Sequence, residues 1–314
     1  LITICTYIVY FFIPLQLAFA NEIQTLTQET MKEWDIPGLA LSIVHEGKPI
    51  HTKGYGVKRR GEIETVNEET LFQISSLTKA FTALSISLLV EEGLLDWKKP
   101  ISFYLPNFQL KDPIASQQTT LDDLLCHKTG LPNNGDMHWW RLWWLFSGSK
   151  TTLMNRLAFL EPFHPFRTHF GYNNLGYVAA SQVIEKMTKM NWENVCLEKI
   201  LKKVGMNRSH FSYKLLCQDS NAAAAHLNAS IQEKPIAWRD WTSMSGAAGM
   251  NSCAKDMSSW LRFCLLGNPA FLSTIKARCL LDSDGLLDDF AKISWPLFSH
   301  LQPIVHYGYG WMMY

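Results

Sequence analysis

The stretch "FQISSLTKAFTALSISLLVEEG", from Phe72 to Gly93, carries Lys79 as its single charged residue before Glu91. Its pattern is that of an apolar helix, and a cation inside an apolar helix is the most demanding feature of the sequence. Ammonium in such surroundings costs on the order of several kcal/mol unless it is paired or neutralised. An unpaired lysine here therefore either does chemistry or contradicts the helix, and the rest of the chain has to decide which.

Composition limits what this helix can belong to. The 314 residues are 47% hydrophobic and 18% charged, with a formal net charge of +1. This is a globular balance, and there is enough chain for one large domain or two interleaved ones. No basic excess is present to build a nucleic-acid footprint, so a nucleic-acid partner is not expected.

The opening segment, "LITICTYIVYFFIPLQLAFANE", has no charge before Glu22. Ala18-Phe19-Ala20 has the small-x-small form that signal peptidase accepts, so residues 1–20 read as a secretory signal cut before Asn21. Pro14 and the short apolar core argue against a membrane span, which needs about 20 apolar residues in succession. The expected location is the periplasm or the exterior, with no stable membrane insertion after cleavage; an uncleaved, membrane-anchoring leader is the alternative. The usual basic start is missing and the sequence opens on Leu1, which puts the expected N-terminus upstream. Export implies an oxidising compartment. Beyond Cys5 in the leader, Cys126, Cys196, Cys217, Cys253, Cys264 and Cys279 are too sparse for a disulfide scaffold and have no C-x-x-C spacing. Buried free thiols with at most one incidental disulfide are expected, and no zinc site or other cofactor.

Along the body, "GLALSIVHEGKPIHTKGYGVKRRG" predicts two strands around the turn Glu46-Gly47-Lys48, with apolar Leu41, Ile43, Ile50 and Val57 and glycine-rich ends. From Ser76 to about Leu265 the periodic segments predict helices, among them Leu121 to Cys126, Leu175 to Thr188, Trp192 to Val204 and Ala254 to Leu265. The tryptophan-rich "MHWWRLWWLF" reads either as a buried helix or as the wall of a hydrophobic cleft.

If the helix starts at Ser76, Ser76 and Lys79 stand one turn apart on one face, with the hydroxyl at the positive end of the helix dipole. A serine hydroxyl is a poor nucleophile until a neighbour accepts its proton, and a desolvated lysine has its pKa lowered toward that of a useful base. S-x-x-K alone is a weak signal, since Ser147/Lys150, Ser252/Lys255 and Ser273/Lys276 also match. Only Ser76 opens a long apolar helix directly after a strand-like segment. A second element is Tyr172-Asn173-Asn174, the one Y-x-N of the chain. In an extended loop residues two apart point the same way, so Tyr172 and Asn174 are candidates to face one cleft. There the phenol would relay a proton and the amide would hold Lys79 and a substrate carbonyl. Either motif taken singly is also compatible with a plain helix start or a packed turn.

Together these residues resemble the serine β-lactamase and penicillin-binding-protein superfamily, most closely the class C-like branch with its D-alanyl-D-alanine peptidases and esterases. "DIPGLALSIVHEGK", "LFQISSLTKAFTA", "LDDLLCHKTGLP", "FGYNNLGYVAASQVIEKMT", "KVGMNRSHF", "GAAGMNSCAKDMSSWLRFCL" and "YGYGW" occur in the family's order. The resemblance implies an α+β fold for residues 21–314, an antiparallel sheet flanked by helices (about 21–75 and 245–314) with an inserted all-helical part (about 76–244) and the serine in the cleft between them. It also implies that Ser76 is acylated, that Lys79 and Tyr172 are acid/base groups, and that Asn174 binds and orients substrate.

The family's third motif, K-T-G or H-x-G on a strand, has no clear counterpart. Lys128-Thr129-Gly130 precedes Tyr172, His45-Glu46-Gly47 lies in the first hairpin turn, and His306-Tyr307-Gly308 overlaps "YGYGW" instead of following it. On this reading the sequence stops at Tyr314 where the third motif and further C-terminal strands are expected, as a truncated chain would. Losing one oxyanion-hole donor typically costs on the order of 100- to 1,000-fold in rate. Two functions follow as expectations. One is a secreted serine hydrolase acting on a β-lactam, a peptide or an ester through an acyl-serine intermediate; the other is a catalytically impaired remnant or penicillin-binding-type protein without useful turnover.

Overall fold

The computed structural model describes residues 20–132, 148–227, 232, 234–275, 279–280 and 306–313. It is α+β, and the chain divides into two compact units, each assembled from three segments.

The first unit comprises Leu1–Phe72, Leu215–Trp238 and Ser252–Leu265. Residues 20–33 form a helix that leads into an antiparallel hairpin of Gly38–His45 and Lys48–Gly56. The turn falls where expected but is shorter, since Lys48 already pairs with His45: Glu46 and Gly47 both take positive φ, 48° and 71°, the handedness that lets a two-residue turn follow the twist of its strands. The helix Ala254–Leu265 packs across both strands, and its Arg262 Nε donates to the Gly47 carbonyl at 3.0 Å. A small apolar cluster of Leu71, Leu216, Ala222 and Cys253, with Trp238 against it, holds the three segments together.

The second unit comprises Gln73–Lys214, Arg239–Asn251 and Leu266–Tyr314 and is mainly helical. At its centre is Thr78–Glu91, the helix that contains Lys79, buried from Thr78 to Ser87. Among the described residues, helices Asn174–Thr188, Trp192–Cys196, Ser245–Ala248 and Pro269–Ile275 pack on it. The Ser245–Ala248 helix approaches closely because Gly246 has no side chain, and a Cβ there would meet Ser181 Cβ at 2.6 Å. Residues 306–313 lie on the start of the lysine helix. Gly310 has φ +80°, and a Cβ on it would come within 2.8 Å of the Ala80 nitrogen and the Lys79 carbonyl carbon. Strand pieces Cys279–Leu280, His306–Tyr307 and Met312–Met313 form an antiparallel three-stranded patch.

The α-helix does not start at Ser76. Ser75–Leu77 is a single 3-10 turn and the α-helix runs from Thr78. Ser75 has φ +46°, a left-handed conformation that a residue with a side chain holds at a cost of on the order of 1–2 kcal/mol. Thr78 secures the turn, since its hydroxyl donates to the Ser75 carbonyl at 2.6 Å and accepts from Met250 N–H at 3.2 Å. The tryptophan-rich segment Trp139–Trp144, Ser147, Lys276 and residues 1–19 of the leader lie outside the described residues. Cys126, Cys196, Cys217, Cys253 and Cys264 are free thiols.

Candidate active site

Lys79 is 1% exposed. Its Nζ reaches three oxygen atoms: Ser76 Oγ at 3.1 Å, Asn174 Oδ1 at 2.6 Å and the Ala247 carbonyl at 3.1 Å. The ring of Tyr172 lies 4.9 Å from the same nitrogen and that of Tyr177 5.3 Å. Tyr172 is also hydrogen-bonded to Ser76. Ser76, Lys79, Tyr172 and Asn174, drawn from distant parts of the sequence, thus meet around one nitrogen in the second unit.

Each arrives for a local reason. Ser76 sits in the 3-10 turn, half-buried, one turn before the lysine. Asn174 is the first residue of the helix Asn174–Thr188, which Asn173 caps by accepting from Leu175 N–H at 2.8 Å. Tyr172 precedes that cap in extended chain. Ala247 belongs to the helix Ser245–Ala248, whose terminal carbonyls have no intrahelical partner and are free to accept from the lysine.

Burial drives the electrostatics. The three acceptors favour ammonium, but desolvation is the larger effect and brings Lys79 from 10.5 down to about 7. A neutral amine has two N–H groups and one lone pair. Asn174 Oδ1 and the Ala247 carbonyl can only accept, so they take the two N–H groups and leave the lone pair for the one neighbour that can donate, the Ser76 hydroxyl. Burial pushes Tyr172 up to about 12, outweighing the opposite effect of its hydrogen bond with Ser76, so at neutral pH it is a phenol able to pass a proton, not a phenolate.

Sequence reasoning missed His127. It is buried, with burial first and then the Lys79 charge holding its pKa well below 6.5, and its ring lies 4.5 Å from that of Tyr172. The Ala247 carbonyl was also missed, for a backbone acceptor leaves no mark in a side-chain pattern. The signal for His127 was its place in "LDDLLCHKTGLP", which drew attention to Lys128-Thr129-Gly130 instead. Of the third-motif candidates, Tyr307 is buried and bonds His127 Nε2 through its hydroxyl at 3.2 Å.

The family model described as Beta-lactamase matches residues 23–314. The chain belongs to the Beta-lactamase family. An "Unguisins hydrolase ungD'" from Aspergillus campestris is 30% identical over 275 residues, 83% of this chain and 49% of that protein. "Protein flp" of Staphylococcus aureus is 26% identical over 252 residues, 77% of this chain and 48% of that protein. The chain therefore spans about half the length of the curated relatives it matches. Among solved structures, the octameric penicillin-binding protein homologue from Pyrococcus abyssi superposes with a TM-score of 0.72 at 24% identity, over 94% of this chain and 65% of that one, a likeness of fold. As a Beta-lactamase family member the chain has the fold of a serine-hydrolase superfamily.

Proposed function

We propose that the chain is a serine hydrolase that forms an acyl-serine intermediate on a β-lactam, a peptide or an ester. The observation that carries this reading is the set of hydrogen bonds at Lys79 Nζ, in which, among the described residues, the Ser76 hydroxyl is the partner able to give a neutral amine its proton. As Ser76 Oγ attacks the substrate carbonyl carbon, its proton passes to Lys79 Nζ. Tyr172 relays a proton to the leaving group as the bond to it breaks, and water later hydrolyses the acyl-serine through the same groups. Asn174 orients Lys79 and binds the substrate carbonyl. The relative's name, a hydrolase of unguisins, supports hydrolysis as the reaction class.

The test is hydrolysis of a p-nitrophenyl ester, a chromogenic cephalosporin and a D-alanyl-D-alanine peptide. The expected result is turnover, with a burst of acyl-enzyme, on at least one of them. A folded chain that gives neither burst nor turnover refutes the proposal, while a burst without turnover identifies a penicillin-binding-type protein. The reading includes export directed by residues 1–20; among the described residues, no helix is long and apolar enough to cross a membrane.

A further inference from the structure

His127 grips the segment that carries Tyr172 from both sides of it. Its carbonyl accepts from Gly171 N–H at 2.9 Å and its ring Nδ1 accepts from Asn173 N–H at 3.1 Å. Between these two contacts the imidazole lies against the Tyr172 ring, at 4.5 Å and 39°. Two hydrogen bonds on alternate residues and one ring contact on the residue between them fix both the path of the segment and the direction of the phenol.

The grip depends on one tautomer. An Nδ1 that accepts from a backbone N–H carries no proton, so the proton of neutral imidazole is on Nε2, where the Tyr307 hydroxyl at 3.2 Å receives it. Tyr307 is in turn hydrogen-bonded to Tyr177, whose hydroxyl donates to the Leu125 carbonyl at 3.0 Å. Both ring nitrogens of the buried imidazole are thereby used.

The delivery of His127 is equally specified. It follows the short helix Leu121–Leu125, which starts with a capping box: Thr120 Oγ1 accepts from Asp123 N–H at 3.2 Å and Asp123 Oδ2 from Thr120 N–H at 2.9 Å. Arg167 clamps the same carboxylate, with Nε 2.7 Å from Oδ1 and Nη2 2.8 Å from Oδ2. Past the helix end, His127 itself takes φ +58°, which turns its carbonyl and its ring toward one stretch of chain.

We propose that His127 is the positioning residue of this site, a neutral imidazole with its proton on Nε2, which holds Tyr172 and the start of the Asn174 helix in register with Ser76 and Lys79. This rests on the serine-hydrolase reading above. The role requires an acceptor at the Nδ1 position, and asparagine, not glutamine, places a side-chain oxygen there.

The test compares His127→Asn, His127→Gln and His127→Ala in the full chain, by the rate of Ser76 acylation with a fluorophosphonate and by melting temperature. All three lose ring packing and melt lower. The Asn variant is expected to acylate within about tenfold of the unsubstituted protein. Gln and Ala, with the Asn173 N–H unheld, are expected to fall about 100-fold, the scale of an ångström-sized misplacement of a catalytic group. A purely structural histidine would give rates that follow melting temperature, with Asn and Gln alike, and that result overturns the proposal. Should the variants not fold, imidazole nitrogen NMR of the unsubstituted chain decides: Nδ1 unprotonated and Nε2 protonated is expected, and a protonated Nδ1 overturns the grip. Failure of the unsubstituted, folded chain to acylate at Ser76 would instead refute the serine-hydrolase reading, and this inference with it.

Discussion

Replacing Lys79 by methionine keeps most of the side-chain volume and removes the buried charge. Lys79 falls from 10.5 to about 7 on folding, and burial is the cause. A shift of that size is about 5 kcal/mol of differential interaction, at about 1.4 kcal/mol per unit. The sign follows from proton counting. Between pH 7 and 10.5 the unfolded lysine holds a proton that the folded one has released, so folding stability rises with pH across that window. Below about 7 both states are protonated, and the full desolvation cost bears on the folded protein. Lys79→Met should therefore be more stable than the unsubstituted chain at pH 6, less what the three lost hydrogen bonds contributed. Its advantage should shrink by about 3 kcal/mol by pH 9, because the unsubstituted chain gains what the variant has nothing left to gain. Urea unfolding of both proteins from pH 6 to 9, read as the difference between them, cancels the titrating groups that do not feel the Lys79 charge; His127, which does, bears on the acid end of the range. A difference that stays constant with pH would show that Lys79 titrates normally, and the argument for it as the base would fail.

The acylation rate of the unsubstituted chain should rise with pH through about 7, as Lys79 loses its proton, and then hold level through the pH 8–9 range, since Tyr172 is held up at about 12. Asn174→Asp places a carboxylate where Oδ1 now stands 2.6 Å from Nζ, which favours ammonium and should move that limb upward by on the order of 1–3 pH units; an unmoved limb would remove Lys79 from the proton path. Lys79→Ala and Tyr172→Phe should each slow acylation by several orders of magnitude without adding in the double variant, and losses that sum in full would rule out a shared proton relay. Gly310→Ala should destabilise the chain by roughly 2 kcal/mol or more, because its Cβ meets the backbone of Lys79 and Ala80 at a φ of +80°; an unchanged unfolding midpoint would contradict the close packing of residues 306–313 on the lysine helix. N-terminal sequencing of exported protein should begin at Asn21, and an uncut, membrane-bound product would favour the anchor.

The hairpin was legible because Gly47 readily takes the positive φ that a two-residue turn requires, and the flanking residues supply strand. Ala254–Leu265 was legible end to end because its apolar stripe has one face to bury, on the hairpin. Asn174–Thr188 begins one residue before the predicted start, at the residue after its Asn173 cap. The stretch from Trp192 is helical, yet passes through a π-turn at Leu197–Leu201 that no periodicity announces. Ser76 was placed at the right distance from Lys79 but in the wrong geometry, since a 3-10 turn that opens on a left-handed Ser75 depends on Thr78 and Met250, not on local propensity. His127 and the Ala247 carbonyl stayed hidden for a related reason. What they do is set by partners 46 and 168 residues away in sequence, and neither has a composition of its own that points there.

If Lys79 activates Ser76 as the nucleophile, a covalent adduct forms at that one serine. After incubation with a fluorophosphonate and proteolysis, mass spectrometry should find the adduct on Ser76, with none on Ser252 or Ser273 of the other S-x-x-K matches, and Ser76→Ala should leave the chain unlabelled. Labelling that persists in Ser76→Ala, or an adduct on another serine of a folded chain, would show that Ser76 is not the nucleophile.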